Sequence, residues 1–236
     1  MSASLEQLAA EPEQAALFLD FDGVLAPIVD RPEDAAVPPG TRTQLERLAA
    51  RYALVGVVSG RAGDDVRRRL GVEGVVCIGS HGLEIDPDAQ RWRPRIRAFA
   101  VEAGWPDTEI KDLTVSFHFR TAGNEHAAVR DLEELAERAR QEGLEARFGR
   151  KLLEVLPPLD SNKGSAVRTL LEDSGLRRAL SAGDDTTDLD AFRALDGLDV
   201  AVRVAVVSDE SPAALREAAD IVVGGTDEFA DLLRRL

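Results

Sequence analysis

Three short apolar runs, Leu17–Phe21, Leu54–Val58 and Val75–Ile78, punctuate the first eighty residues and predict strands buried on both faces. Between the first two, Thr41–Ala50 is amphipathic at helical spacing. The same rhythm returns at Ala179–Ala182, Val200–Val204 and Ile221–Val223, with helical patterns between and after them. Alternation of buried strand and helix predicts an α/β fold: a parallel sheet with helices on both faces. The middle of the chain reads differently. Lys111–Arg120 and Leu144–Leu156 look like strands with one exposed face, and they flank a charged amphipathic helix over Glu125–Gln141. We therefore expect a core built from residues 1–86 and 158–236, interrupted by an antiparallel α+β domain at 87–157, with Pro157-Pro158 as the return hinge.

Charge narrows the function classes. Acidic residues outnumber basic ones by 43 to 29, a net charge of -14, so the overall field repels nucleic acid and anionic lipid. If such a chain handles a phosphorylated molecule, a cation or a few well-placed Lys and Arg side chains must compensate locally. Cys77 is the single cysteine, in the apolar setting Val75-Val76-Cys77-Ile78, which predicts a small buried hydrophobe and no internal disulfide. The first residues carry Glu6, Glu11 and Glu13 where a secretory leader needs positive charge, and no apolar stretch reaches membrane-spanning length. These features predict a cytoplasmic protein, with no membrane or nucleic-acid partner and a monomer as the default.

Leu17-Phe18-Leu19-Asp20-Phe21-Asp22-Gly23-Val24 is a buried strand ending in two acids spaced by two. Strand periodicity puts both carboxylates on one side, at the carboxyl end of a strand where open α/β sheets bind ligands. Taken alone, Asp22-Gly23 reads equally well as a chain-reversing turn. A second acidic cluster, Gly183-Asp184-Asp185-Thr186-Thr187-Asp188, also follows an apolar strand and precedes a helix, so helix capping is its plainer reading. Considered together, carboxylates converging on one sheet edge repel each other unless a hard cation neutralises them, and Mg2+ fits that role. Ser59-Gly60-Arg61 opens a helix after a strand and can hold a phosphate oxygen, although Ser-Gly turns before helices are common. Lys163 opens another helix, where acids are the usual choice.

These four segments, in this order, resemble the haloacid dehalogenase superfamily of aspartate-nucleophile phosphatases. The insertion between the second and third resembles its C2-type cap, on a Rossmann-like core. More narrowly, the chain resembles trehalose-6-phosphate phosphatases at Ser59-Gly60-Arg61, Ser80-His81-Gly82-Leu83-Glu84, Ser116-Phe117-His118-Phe119-Arg120, Gly149-Arg150-Lys151-Leu152-Leu153-Glu154-Val155 and Gly183-Asp184-Asp185. Val24, Ser80, Leu156 and Ser161-Asn162 depart from that family's usual residues.

The resemblance implies hydrolysis of trehalose 6-phosphate, with Asp20 as nucleophile and Asp22 as acid and base. It implies that Ser59, Gly60 and Lys163 hold phosphate. Mg2+ would be held by Asp20, the Asp22 backbone carbonyl and Asp184, with Asp185 or Asp188 behind them. Substrate contacts would come from Arg61, His81, Glu84, Arg120, Arg150, Lys151 and Glu154. From the residues themselves, Glu154 with Arg150 reads as readily as a surface ion pair, and His118 carries no assigned chemistry. Another sugar or pseudosugar phosphate, a phosphomutase reaction, or a non-catalytic sugar-phosphate sensor are the competing functions.

Overall fold

Residues 16–19 sit at the centre of the fold because nothing in them can face water: Ala16, Leu17, Phe18 and Leu19 are all buried. The computed structural model describes residues 3–149, 151–208 and 211–236. In chain order its first half gives α1 (Ala3–Ala10), β1 (Ala16–Leu19), α2 (Pro39–Ala49), β2 (Leu54–Val58), α3 (Gly63–Leu70) and β3 (Val75–Ile78). Then come α4 (Arg93–Ala103), β4 (Thr108–Ile110), β5 (Val115–His118), α5 (Glu125–Gln141), β6 (Glu145–Gly149) and β7 (Leu152–Leu156). The chain finishes with α6 (Lys163–Ser174), β8 (Arg178–Gly183), α7 (Asp188–Arg193), β9 (Val200–Val206), α8 (Ala213–Ala218), β10 (Ile221–Val223) and α9 (Gly225–Leu233).

Two compact units result: Met1–Gly82 with Ser161–Leu236, and Leu83–Asp160. In the first, the described strands form a parallel sheet in the order β10-β9-β8-β1-β2-β3. The α/β expectation is borne out. β1 pairs with β2 in register Leu19↔Val57 and with β8 in register Leu19↔Ala182, so segments about 160 residues apart end side by side. Leu17, Leu19, Val55, Val57, Leu180, Val202 and Val204 share one core with Leu45, Leu48, Val66, Leu70 and Phe229 from the helices. Local sequence sets the helix ends. Pro39 sits in the first turn of α2, where its missing N–H costs nothing, and Gly71 takes the left-handed position that closes α3.

The second unit is an antiparallel sheet in the order β4-β5-β7-β6. Alternation governs it: Val115, Phe117, Leu153 and Val155 face a core shared with Phe99 of α4 and Leu132 and Ala136 of α5. The opposite register row runs Glu109, Ser116, Glu154, Arg147. The middle strands differ in detail from the sequence expectation. Lys111–Arg120 is not one strand: β4 ends at Ile110, Lys111 N–H closes on the Thr114 carbonyl at 2.9 Å, and β5 begins at Val115. Leu144–Leu156 is a hairpin whose ladder runs out to Gly149↔Leu152, and Lys151 beyond it adopts φ +59°. A chain that folds back on itself keeps the same alternation on both arms, so periodicity alone does not reveal the turn. No described helix is long and apolar enough to cross a membrane.

Phe117 is fully buried and meets Phe99 edge-on at 6.2 Å between ring centroids. Phe117→Ala is expected to destabilise the Leu83–Asp160 unit by about 3–5 kcal/mol. Chemical denaturation should show this as a lowered midpoint of the transition that reports on Trp92 and Trp105, which pack against that core.

Candidate active site

The sheet unit brings three acids from two strand ends to one point. Asp20 directly follows β1, and its N–H donates to the Ala182 carbonyl at 3.0 Å, which continues the β1–β8 ladder to the residue itself. Asp184 directly follows β8, and Asp188 starts α7 one tight turn later. One carboxylate oxygen from each of Asp20, Asp184 and Asp188 lies within 4.8 Å of the others. Gly23 permits this approach. It has φ +77°, and a Cβ there would stand 2.2 Å from Asp184 Oδ2.

Lys163 is the cation facing them. Its ammonium sits 2.9 Å from Asp20 Oδ2 and 2.7 Å from Asp188 Oδ1, and all three side chains are almost inaccessible. Asn162 caps α6 by accepting the Ser165 N–H at 2.9 Å, while the Ser165 hydroxyl accepts the Asn162 N–H, so the lysine leaves from a fixed first turn. Asp188 is held equally firmly, because its Oδ2 accepts the N–H groups of Asp184 and Asp185 at 3.0 and 3.1 Å.

The electrostatics are strained. Burial pushes the Asp20 carboxyl up to about 7, with Asp188 adding to the rise against Lys163 and the Phe21 N–H. Burial, then Asp20 and Asp188, push Asp184 up to about 8. Burial alone pulls the Lys163 ammonium down, but Asp188 and Asp20 outweigh it and hold it well above its usual range. Three carboxylates share one lysine, and all of their free donors are hard oxygens. That is the donor set of Mg2+ or another hard divalent ion.

Asp22 stands apart from this triad. Both its oxygens are taken by Arg61, Nε to Oδ2 at 2.7 Å and the other fork nitrogen to Oδ1 at 2.9 Å. Arg61 also reaches Asp65 at 3.2 Å and lies over the Phe21 ring at 5.4 Å. Ser59 is buried, its N–H on the Ile78 carbonyl at 2.9 Å and its hydroxyl accepting the Arg61 N–H at 3.2 Å, with Gly60 between them. Asp185 points away, since its carboxylate accepts the N–H and hydroxyl of Thr186.

The other expected substrate residues belong to the second unit, apart from His81, which lies in the sheet unit beside Gly60. Glu154 of β7 accepts from Lys111 at 3.2 Å and from the Thr114 hydroxyl at 3.1 Å. Lys151 pairs with Glu125 and lies 5.9 Å from the Phe119 ring centroid. Arg120 is exposed just beyond β5, Glu84 is half-buried in the unit's first turn, and Arg150 lies outside the described residues. The expected surface pair of Glu154 with Arg150 thus has a described alternative in Lys111. Lys111 and Thr114 were not singled out from the sequence, because their positions make sense only once the β4–β5 turn is known.

Residues 18–99 and 107–219 match the family model described as trehalose-phosphatase. The trehalose-phosphate phosphatase of Mycobacterium avium (strain 104) is 36% identical over 208 residues, covering 77% of this chain and 51% of that protein. The chain thus spans about half the length of that relative. Among solved structures, a trehalose-6-phosphate phosphatase related protein superposes with a TM-score of 0.73 at 26% identity, covering 93% of this chain and 95% of the other. A haloacid dehalogenase-like hydrolase from Bacteroides thetaiotaomicron superposes with a TM-score of 0.65 at 16% identity, covering 94% and 98%, which speaks to the fold alone. Sequence match across both units and the shared architecture together put this chain in the trehalose-phosphatase family, on the haloacid dehalogenase fold.

Proposed function

We propose that this chain is a magnesium-dependent phosphatase that hydrolyses trehalose 6-phosphate through a phosphorylated Asp20. The observation that carries the reading is the meeting of Asp20, Asp184 and Asp188, with the buried Lys163 paired to the first and last of them. Asp20 attacks phosphorus with a carboxylate oxygen, the bond from phosphorus to the sugar oxygen breaks, and Asp22 gives that oxygen a proton. Water then attacks the aspartyl phosphate while Asp22 takes its proton, releasing phosphate and restoring Asp20. Lys163 and the Ser59-Gly60 turn orient and neutralise the phosphoryl oxygens. Because Arg61 occupies both oxygens of Asp22, proton transfer requires that fork to open. Asp20, the Asp22 carbonyl and Asp184 would hold the magnesium ion, with Asp188 behind them and Asp185, engaged by Thr186, left out, and the bound ion would supply positive charge to the transferring group. Glu84, Arg120, Arg150, Lys151 and Glu154 supply sugar contacts from the inserted unit, acting as the cap. A cytoplasmic enzyme acting on a free metabolite agrees with the buried Cys77 thiol and the net charge of -14.

The decisive assay is phosphate release from trehalose 6-phosphate, set against a panel of phosphorylated sugars, with and without magnesium. Asp20→Asn should lower the rate by at least about a thousandfold, with an unchanged circular dichroism spectrum. Near wild-type release by that variant rejects the nucleophile. Glu154→Ala should raise KM for the sugar phosphate and spare an aryl phosphate, since Glu154 belongs to the sugar side of the reading. Equal losses on both substrates remove it from that role.

Metal binding has a pH signature of its own. Burial pushes Asp20 and Asp184 up to about 7 and about 8, so between roughly pH 4 and pH 8 these two acids hold more protons in the folded metal-free chain than in the unfolded one. Their contribution to stability therefore falls as pH rises through that window. Magnesium, which favours the ionised carboxylates, should raise the Tm more at pH 8 than at pH 5.5. An increment independent of pH dissociates the ion from these two acids.

A further inference from the structure

Three consecutive residues after β3 adopt left-handed backbone: Ser80 at φ +52°, His81 at +53° and Gly82 at +101°. Only the last is a glycine, so two side chains are held where L-residues rarely sit. What holds them is visible in the hydrogen bonds. Ser80 N–H donates to the Arg61 carbonyl at 2.8 Å, His81 N–H to the Ser59 carbonyl at 2.9 Å, and Gly82 N–H closes the turn on Gly79 at 3.0 Å. The imidazole lies against Gly60, where a Cβ would come within 2.6 Å of both Cε1 and Nε2. On the other side, a Cβ on Gly82 would stand 2.4 Å from the Asn162 carbonyl, and Asn162 is the cap from which Lys163 departs. One strained turn is thus wedged between the two segments that present Ser59, Arg61 and Lys163.

We propose that Ser80-His81-Gly82 is a positioning element that sets the Ser59-Gly60-Arg61 loop against the start of α6, with His81 acting through its backbone and its packing on Gly60 instead of touching the sugar. The proposal rests on the phosphatase reading for what the two segments bind, and it replaces the substrate contact expected of His81. The two backbone donors fix the direction of the loop carbonyls, and with the Ser59 N–H on the Ile78 carbonyl and the Arg61 N–H on the Ser59 hydroxyl oxygen, the loop is set so that the Ser59 hydroxyl can donate its own proton to a ligand. The register depends on φ at His81. A residue that tolerates left-handed backbone preserves it, and a β-branched residue relaxes toward φ below zero and pulls its N–H off the Ser59 carbonyl.

The test is calorimetric binding of inorganic phosphate in magnesium chloride to wild type and variants, which needs no turnover. His81→Asn and His81→Gly should keep phosphate affinity within about threefold, whereas His81→Val should weaken it by about tenfold or more. Gly60→Ala should weaken binding to a similar degree, because the new methyl displaces the ring or the loop, and adding His81→Gly should restore most of the loss. That second pair decides the matter if His81→Val fails to fold. Equal affinities for the Val and Asn variants, no rescue in the double variant, or no phosphate binding by wild type overturns the proposal. So does a His81→Asn enzyme that keeps aryl-phosphate turnover and loses only sugar-phosphate turnover, which assigns the ring to the sugar. Phosphate affinities ranked as expected in a protein that hydrolyses no phosphomonoester would leave the turn's role standing and remove the phosphatase reading.

Discussion

Gathering Asp20, Asp184 and Asp188 beside a single buried ammonium, with only Asp184 partly open to water, is the constraint around which this molecule is arranged. Removing an ion from water costs several kcal/mol even after relaxation, and one lysine leaves the cluster short of positive charge. The site cannot stabilise itself. It is held by the apolar sheet beneath it, where β1 and β8 are sealed on both faces, and by backbone donors that fix each acid in place. Protons relieve the residual negative charge while Asp20 and Asp184 stay protonated, and once they ionise a cation must take the protons' place, which is why the proposed magnesium belongs with this chemistry and not beside it.

The same scaffold separates two kinds of carboxylate. Asp20 points into the charged cluster, while Asp22, two residues on and immediately before Gly23, is handed to Arg61. In the proposed reaction one acid must be a fixed nucleophile and the other must move a proton. An arginine fork that releases when substrate arrives suits the second duty as well as rigid burial suits the first. Asp65 steadies the arrangement by taking Arg61, Arg68 and Arg69 together; against the upward push of burial, Arg69 and Arg61 hold its carboxyl below the usual range.

Much of the sheet was legible in the sequence because its strands are short, apolar and buried on both faces: β2, β3 and β10 fall on the expected residues. The helix Glu125–Gln141 was equally plain, with Leu132 and Ala136 on its buried face and charges elsewhere. The hairpin at Gly149↔Leu152 escaped because its signal is a local left-handed residue, Lys151, in place of a glycine. α4 escaped too, its apolar face diluted by Arg93, Arg95 and Arg97. At the site, strand-end spacing pointed to Asp20 and Asp184, but it gave no hint that Arg61 would claim Asp22 or that Lys111 would claim Glu154. Those partnerships are made by side chains 39 and 43 residues apart, and only a folded chain brings them together.

The close passage of Gly82 beside the Asn162 carbonyl also bears on how such a chain diversifies. The polypeptide leaves the sheet unit after Gly82 and rejoins it at Ser161, so the seventy-eight residues of Leu83–Asp160 start and end at a pair of adjoining stems. Closing a loop whose ends already touch adds little strain to the host, whatever its length. Natural exchange of the whole intervening segment for another would therefore leave the acids and the lysine undisturbed, so the two parts of the chain are free to change at different rates across lineages.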